Sequence, residues 1–537
     1  MKKALLFGFL IIVLGISQAD DRFRPQYHLL PPSNWLNDPN GPVYYNGYYH
    51  MFFQYDPDSP VGIMKYWGHF YSKDMVHWIG LPIAIAPDQP YDINGISTGS
   101  TSIVNGVPII IYTGINESHA QVQCQALPAN LTDPTLSKWI KWPSNPLITS
   151  PNGRDPSTAF QDDHNNYYLI YAFDCDELSG QAVLFTSRDF VNWTYLHPIH
   201  SNHYDTFWEC PDIFNVSNRL VMKVSLRGQD FWAVGELDPI QKIFHPLAGD
   251  VDEYTQLIDQ GKFYASKSFY DPIHDQQVIV GWIGEDDDQG EKRGWQGMHS
   301  LPRSIFLSND GLQLGSRPIE ALQTLRVEES HRYFHNIVLP STIPFELVHD
   351  DLDFGLSVLS TLDGSQRTSV GMMTRTNTTF MPNWDVPGWD YFSVPGITNS
   401  LDCQHACDQD IKCRSWTFDS AKQMNNNCFL KSGIPNLVAS LTCTSGVKQS
   451  ETKQQQQLVW VYINRTLSQR SSGTSRAPLA VVEVFESQGG RLAITTRVYP
   501  EEDTAQNLAV YVNSGSTTNQ TIVIDTLDIW TLNSIWT

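Results

Sequence analysis

The sequence predicts an all-β chain whose larger part is a five-bladed β-propeller, and three observations carry that expectation. Five apolar runs recur, at Tyr49 (YHMFFQ), Pro108 (PIIIYTG), Tyr167 (YYLIYAF), Leu220 (LVMKVS) and Gln277 (QVIVGWI). They lie about 53 to 59 residues apart, a period that reads as blades. Turn residues punctuate the intervals, while long amphipathic helical stretches are scarce. Finally, an acidic residue stands at the same place before three of the runs: Asp38, Asp155 and Glu209 each lie about eleven or twelve residues upstream, one strand and one turn.

If each run is the second strand of its blade, the three carboxylates belong to the innermost strands and converge on the central channel. Ser97 or Thr98 takes the equivalent place in blade two, and Ser266 or Lys267 in blade five. Paired carboxylates at one point suit cleavage of a glycosidic bond, where one attacks or holds charge and another delivers a proton. Asp beside Pro or Asn is also a common turn residue, so position in the repeat, rather than residue type, carries the functional reading.

Residues Met1 to Ala19 carry Lys2 and Lys3, an apolar stretch from Ala4 to Ile16 and the small-residue site Ser17-Gln18-Ala19, the pattern of a secretory signal. Nothing later is long enough to span a membrane, so a soluble, secreted, extracellular protein is expected. Seven glycosylation sequons, at Asn116, Asn130, Asn192, Asn215, Asn377, Asn464 and Asn519, agree with that. A formal net charge of −22 argues against nucleic acid and anionic membrane surfaces, and suits a neutral sugar or plain solubility.

Three of the eight cysteines, Cys124, Cys175 and Cys210, are scattered through the repeats, whereas Cys403, Cys407, Cys413, Cys428 and Cys443 crowd together. In a secreted chain such a cluster predicts a small stapled module, and the spacing lacks the paired knuckles of a zinc site. Cys210 reads as a packed thiol beside Glu209. The acidic run Glu285 to Asp288 lacks the alternating spacing of calcium ligands and reads as a solvated loop. No cofactor or metal is expected.

The stretch Asn34-Trp35-Leu36-Asn37-Asp38-Pro39-Asn40-Gly41 closely resembles the WMNDPNG signature of the β-fructofuranosidases, the invertase, inulinase and fructan hydrolase family. Arg154-Asp155-Pro156 and Trp208-Glu209-Cys210-Pro211-Asp212 follow in the family's order. The resemblance implies a five-bladed propeller over residues 20–325, after a signal peptide at 1–19, and a β-sandwich at 335–387 and 450–537. It also implies a retaining mechanism with Asp38 as nucleophile, Glu209 as acid/base and Asp155 binding fructose hydroxyls, on sucrose or fructan. Trp35, Asn37, Gln54, Thr98 and Arg154 are the expected substrate-binding residues, and Glu285 also matches a family position.

Departures from the family pattern fall where the leaving group would lie. Gly62 and Ser97 replace aromatic residues, and Arg227 replaces an acid found in plant-type sucrose hydrolases. The loss of two stacking faces predicts a wider, more polar mouth, a relative preference for fructans, and a shift back towards sucrose when Trp is restored at both positions. A second resemblance, to PAN/Apple modules, covers about 388–449 and implies Cys407–Cys413 and Cys403–Cys428 disulfides, with a carbohydrate or protein as ligand. Sandwich strands read at Thr368 to Thr374 and Leu458 to Ile463, which makes the module an insertion between them. Two other functions fit the same residues: a fructosyltransferase using the same fructosyl-enzyme, and a non-catalytic sugar-binding or adhesion protein. Intact Asp38 and Glu209 speak against the second.

Overall fold

The computed structural model describes residues 24–330, except 174–179, 202–206, 253–255, 260 and 286–289, and beyond 330 the strands, the helix and the side chains named below. The signal segment, Asp286 to Asp288 and the side chains of Cys175 and Cys443 lie outside the described residues.

Five antiparallel sheets follow one another in the chain, and each apolar run forms the second strand of its blade: Tyr48–Asp56, Val107–Ile115, Tyr167–Phe173, Arg219–Leu226 and Gln276–Ile283. The runs are apolar on both faces because each blade is packed on both sides. Side chains alternate across a strand, so one parity meets the preceding blade and the other the next. Tyr112 and Ile110 pack with Phe52 and Trp67 of blade one, whereas Ile109 and Ile111 pack with Leu169 and Tyr171 of blade three. The same division continues around the ring. Ile170 meets Met222 and Val224, Val221 meets Ile279, and Val278 and Val280 return to Met51 and Phe53. Closure is also made by the backbone, since the two-residue strand Trp295–Gln296, beyond the second strand of blade five, pairs in parallel with Asn34 and Trp35 at the start of blade one.

The innermost strands share a defect that positions the site. In blade one, Leu36 pairs with Tyr55 and Pro39 with Phe53, so Asn37 and Asp38 stand opposite Gln54 alone. Ser97 and Thr98 oppose Thr113 in blade two, Cys210 and Pro211 oppose Val224 in blade four, and Ala265 and Ser266 oppose Gly281 in blade five. Each is a bulge with two residues against one, which bends the strand and re-aims side chains. Blade three carries the same interruption further: its inner edge breaks into Gly153–Arg154 and Phe160–Gln161, with Asp155 just past the first piece. Asp155, Cys210 and Ala265 have positive φ, of 66°, 45° and 51°. For residues other than glycine this conformation is costly and persists where surrounding structure imposes it.

A β-sandwich follows the propeller. One sheet takes the order Leu458–Asn464, Thr368–Arg375, Leu352–Ser360, Asn507–Ser514, and further pairs are Arg332–Pro340 with Thr521–Ile529 and Ala480–Phe485 with Ala493–Val498. Thr368–Arg375 and Leu458–Asn464 are direct neighbours in that sheet, although the chain between them builds a separate five-stranded sheet and the helix Ser400–Gln409. This second sheet begins at Met381, ahead of the boundary expected at 388, because Met381–Asp385 pairs with Val438–Val447. Disulfides Cys403–Cys428 and Cys407–Cys413 join the helix to the strand Cys428–Lys431 and to the segment after the helix. Trp416, Phe418 and Leu430 are packed against them. Among the described residues no helix is long and apolar enough to cross a membrane.

Candidate active site

The four bulges and the break in blade three open on one cleft of about 350 Å3, lined by Trp35, Asn37, Asp38, Gln54, Arg154, Asp155, Glu209 and others described below. Its floor is a closed hydrogen-bond network. The Thr98 hydroxyl donates to Asp38 Oδ2 at 2.6 Å, and Gln54 Nε2 donates to the same oxygen at 3.2 Å. Asn37 Nδ2 donates to Asp38 Oδ1 at 2.8 Å and to Gln54 Oε1 at 2.9 Å. Trp35 Nε1 donates to Asn37 Oδ1 at 2.6 Å and so fixes the orientation of that amide. The blade-one bulge explains why these groups meet, since Gln54 is the residue opposite both Asn37 and Asp38.

Cys210 links the carboxylates. Its sulfur lies 3.7 Å from Asp38 Oδ2 and 3.6 Å from Asp155 Oδ2, and its backbone N–H donates to Asp155 Oδ2 at 3.0 Å. The thiol is buried, reduced and pushed well above its ordinary pKa by burial and by the two acids, so it packs between them as a neutral group. Arg154 completes the bridge: Nη2 donates to Glu209 Oε1 at 2.7 Å, and Nε lies 3.6 Å from Asp155 Oδ2. Tyr264 donates its hydroxyl to the other Glu209 oxygen. Both oxygens of Glu209 are therefore held, while a third of its side chain stays open to the cleft.

Burial raises the Asp38 carboxyl to about 6. The Thr98 and Asn37 hydrogen bonds oppose that rise, and Asp155 and Glu209 add to it. Burial also raises Asp155, against the pull of Arg154, the Cys210 N–H and Lys267. Crowded acids in a partly dry site favour the proton, and donors aimed at the carboxylate favour its loss.

Sequence reasoning missed a layer beneath the floor. Lys223 is fully buried, ion-paired to Asp230 at 3.3 Å, and donates to the carbonyls of Cys210 and Ser266 at 3.1 and 2.7 Å. Asp230 in turn accepts from the N–H groups of Ala265 and Ser266. The pair ties the bulges of blades four and five together. A lysine inside the apolar run LVMKVS was the available signal, because a charge on a doubly packed strand requires a partner.

The rim departs from expectation in three respects. Gly62 is the seat of Trp35: its φ is +67°, and a Cβ there would come within 2.7 Å of the indole. A Trp at position 62 would displace Trp35 rather than add a second face. The mouth also keeps an aromatic wall, because Trp282 of blade five lies 5.9 Å from Trp35 and 6.5 Å from Tyr264, centre to centre. Arg227 sits in the exposed turn after Leu226, at the same end of blade four as Glu209, and does not line the cleft. Lys65, Ser97 and Gln121 add polar side chains to the lining. Glu285 lies outside the floor network and accepts from the Gly297 N–H at 2.8 Å. Among the described residues no cluster of side chains could hold a metal ion.

The family model for the N-terminal domain of glycosyl hydrolases family 32 matches residues 28–318, and that for the family's C-terminal domain matches 480–531. A PAN domain model matches 384–431. An insoluble β-fructofuranosidase isoenzyme of Arabidopsis thaliana is 33% identical over 95% of this chain and 90% of its own length. A fructan 6-exohydrolase of Beta vulgaris is 40% identical over 57% of this chain and 56% of its own. The crystal structure of fructan 1-exohydrolase IIa from Cichorium intybus superposes with a TM-score of 0.70 at 27% identity, covering 96% of this chain and 98% of that one.

Proposed function

The chain belongs to glycosyl hydrolase family 32, and from that premise we propose that it is a secreted β-fructofuranosidase releasing terminal fructose from sucrose or fructans by a retaining double displacement. The observation that carries the reading is the packing of Asp38 and Asp155 against one sulfur, with Arg154 joining Asp155 to Glu209. Three carboxyl groups then surround a space for one furanose ring. Asp38 attacks the anomeric carbon, Glu209 gives its proton to the departing oxygen, and water activated by Glu209 later releases fructose from Asp38. Asp155 binds fructose hydroxyls as positive charge develops at the anomeric carbon. Trp35, Asn37, Gln54, Thr98 and Arg154 position the sugar or the carboxylates. The cell-wall and insoluble isoenzymes among the relatives support action outside the cell.

Both invertases and fructan exohydrolases occur among the relatives, so substrate choice is open to experiment. Incubation with sucrose, 1-kestose, inulin and levan should yield free fructose from at least one. New, longer oligosaccharides as the main product would instead indicate transfer. Glu209→Gln should lower kcat on sucrose about 10²- to 10⁴-fold, with partial recovery on a fructoside whose leaving group needs no proton. Equal losses on both substrates would remove Glu209 from the acid role.

A further inference from the structure

Polar side chains at the floor of the cleft are hydrogen-bonded to one another, whereas those of one rim wall are not. Lys65, Ser97 and Gln121 line the cleft together. They come from three places in the chain: the loop before the third strand of blade one, the bulge of blade two, and the start of the strand Gln121–Pro128. The Ile96 N–H donates to the Lys65 carbonyl at 2.9 Å, which fixes Lys65 beside Ser97. Among the described residues the Lys65 ammonium has no ion-pair or hydrogen-bond partner, and neither does the Ser97 hydroxyl or the Gln121 amide. Lys65 is thus a partly buried residue of the cleft whose side chain makes no polar contact within the protein, and a ligand with hydroxyl groups would supply one.

The burial gradient says which part of the ligand this is. Thr98, Asp155, Gln54 and Asn37 are at most 7% exposed and close the floor, while Lys65, Ser97 and Gln121 are half-buried at the mouth. A fructosyl unit held over Asp38 therefore points its leaving group outwards, towards Lys65, Ser97 and Gln121 and the rings of Trp35 and Trp282, which line the same cleft. We infer that Lys65, with Ser97 and Gln121, forms the subsite for a neutral, polyhydroxylated leaving group. It binds by hydrogen bonds to hydroxyls. This deepens the fructosidase reading and rests on it. Lys65 is thus a specificity-determining residue, with three N–H donors on a stem long enough to follow leaving groups of different shape.

The test compares sucrose and 1-kestose, whose leaving groups carry many hydroxyls, with methyl β-D-fructofuranoside, whose leaving group carries none beyond the scissile oxygen. Lys65→Met should lower kcat/KM roughly tenfold on the first two, the range of a lost hydrogen bond to a charged group. It should change the methyl fructoside less than about twofold, and Lys65→Arg should restore much of the loss. Equal losses on all three substrates would mean that Lys65 acts on the charge of the carboxylates, and no loss on any would leave it without a substrate role. Either result overturns the subsite alone. A wild-type protein that splits none of the three overturns the fructosidase reading and the subsite with it.

Discussion

At the floor of the cleft, Asp38, Thr98, Asp155 and Cys210 sit in or beside backbone bulges and are tied into one network. At the rim, Lys65, Gln121 and Trp282 come from a loop and from second and third strands. The floor is thus fixed by a local device repeated around the ring, and the rim by which blades happen to adjoin. A floor built this way holds its groups in one geometry whatever the leaving group. The rim can vary without disturbing it. The contrast sorts the expected effects: floor substitutions act on kcat and on pH dependence, rim substitutions on ratios between substrates.

The largest effect is expected from Asp38→Asn, which removes the nucleophile and should lower kcat on the order of 10⁴-fold. The same change should stabilise the protein. The folded-state pKa of about 6 lies above the ordinary 3.8, so between these values the folded protein binds the proton more tightly than the unfolded chain does. Stability from this group is full below pH about 4 and is lost as pH rises through 6. At pH 7 the Asn variant should melt roughly 2–4 °C higher than the wild type, and at pH 4 the two should coincide. A gap of equal size at both pH values would disprove the pKa assignment without touching the catalytic one.

Thr98→Val tests the floor network through its strongest link. The Thr98 hydroxyl is the foremost group opposing the rise of the Asp38 pKa. Without it the carboxyl holds its proton to higher pH. The acid limb of kcat/KM, expected near pH 6 in the wild type, should move upwards, so that activity at pH 5 falls several-fold more than at pH 7. An unmoved limb would mean that another group controls it, and would separate the donor role of Thr98 from its packing.

Much of the floor could be read from the sequence because its residues follow the period of the fold. Asp38, Asp155 and Glu209 stand one strand before their runs, and folding brings each into or beside the bulge or break of its innermost strand. Gln54 was legible as a motif residue, although its reason, standing opposite Asn37 and Asp38, is visible only in the strand register. The rim could not be read in the same way. Lys65 and Gln121 are separated by 56 positions and belong to no motif, and they meet at one cleft only once blades one and two stand side by side. Trp282 sits in an apolar run where one more aromatic looks like core. Gly62 was legible as a missing aromatic, but that it bears the Trp35 ring is a contact between distant positions. The exposed turn at Arg227 shows the converse, a departure in sequence with no direct place in the cleft.

The smallest effect, and the sharpest test of the rim, comes from Ser97→Trp. The Ser97 carbonyl accepts a 3.0 Å hydrogen bond from Trp67 Nε1, so the backbone there is anchored beneath the cleft and a new side chain has to project into it. An indole at this point would face Trp35 and Trp282 across the mouth and give the first sugar of the leaving group a second stacking surface. It would also narrow the path of a longer chain. One added stacking contact is worth about 1 kcal/mol, so kcat/KM for sucrose relative to inulin-type oligosaccharides should rise about fivefold. The change should leave the acid limb of the pH profile in place, because the Thr98 bond to Asp38 is untouched. A bulky residue at Gly62, which would push Trp35 from its seat, should lower activity on both substrates without restoring sucrose preference. If Ser97→Trp leaves the ratio unchanged while the pH limb moves, position 97 belongs to the floor after all, and the division of the cleft drawn from burial and hydrogen bonding fails at this residue.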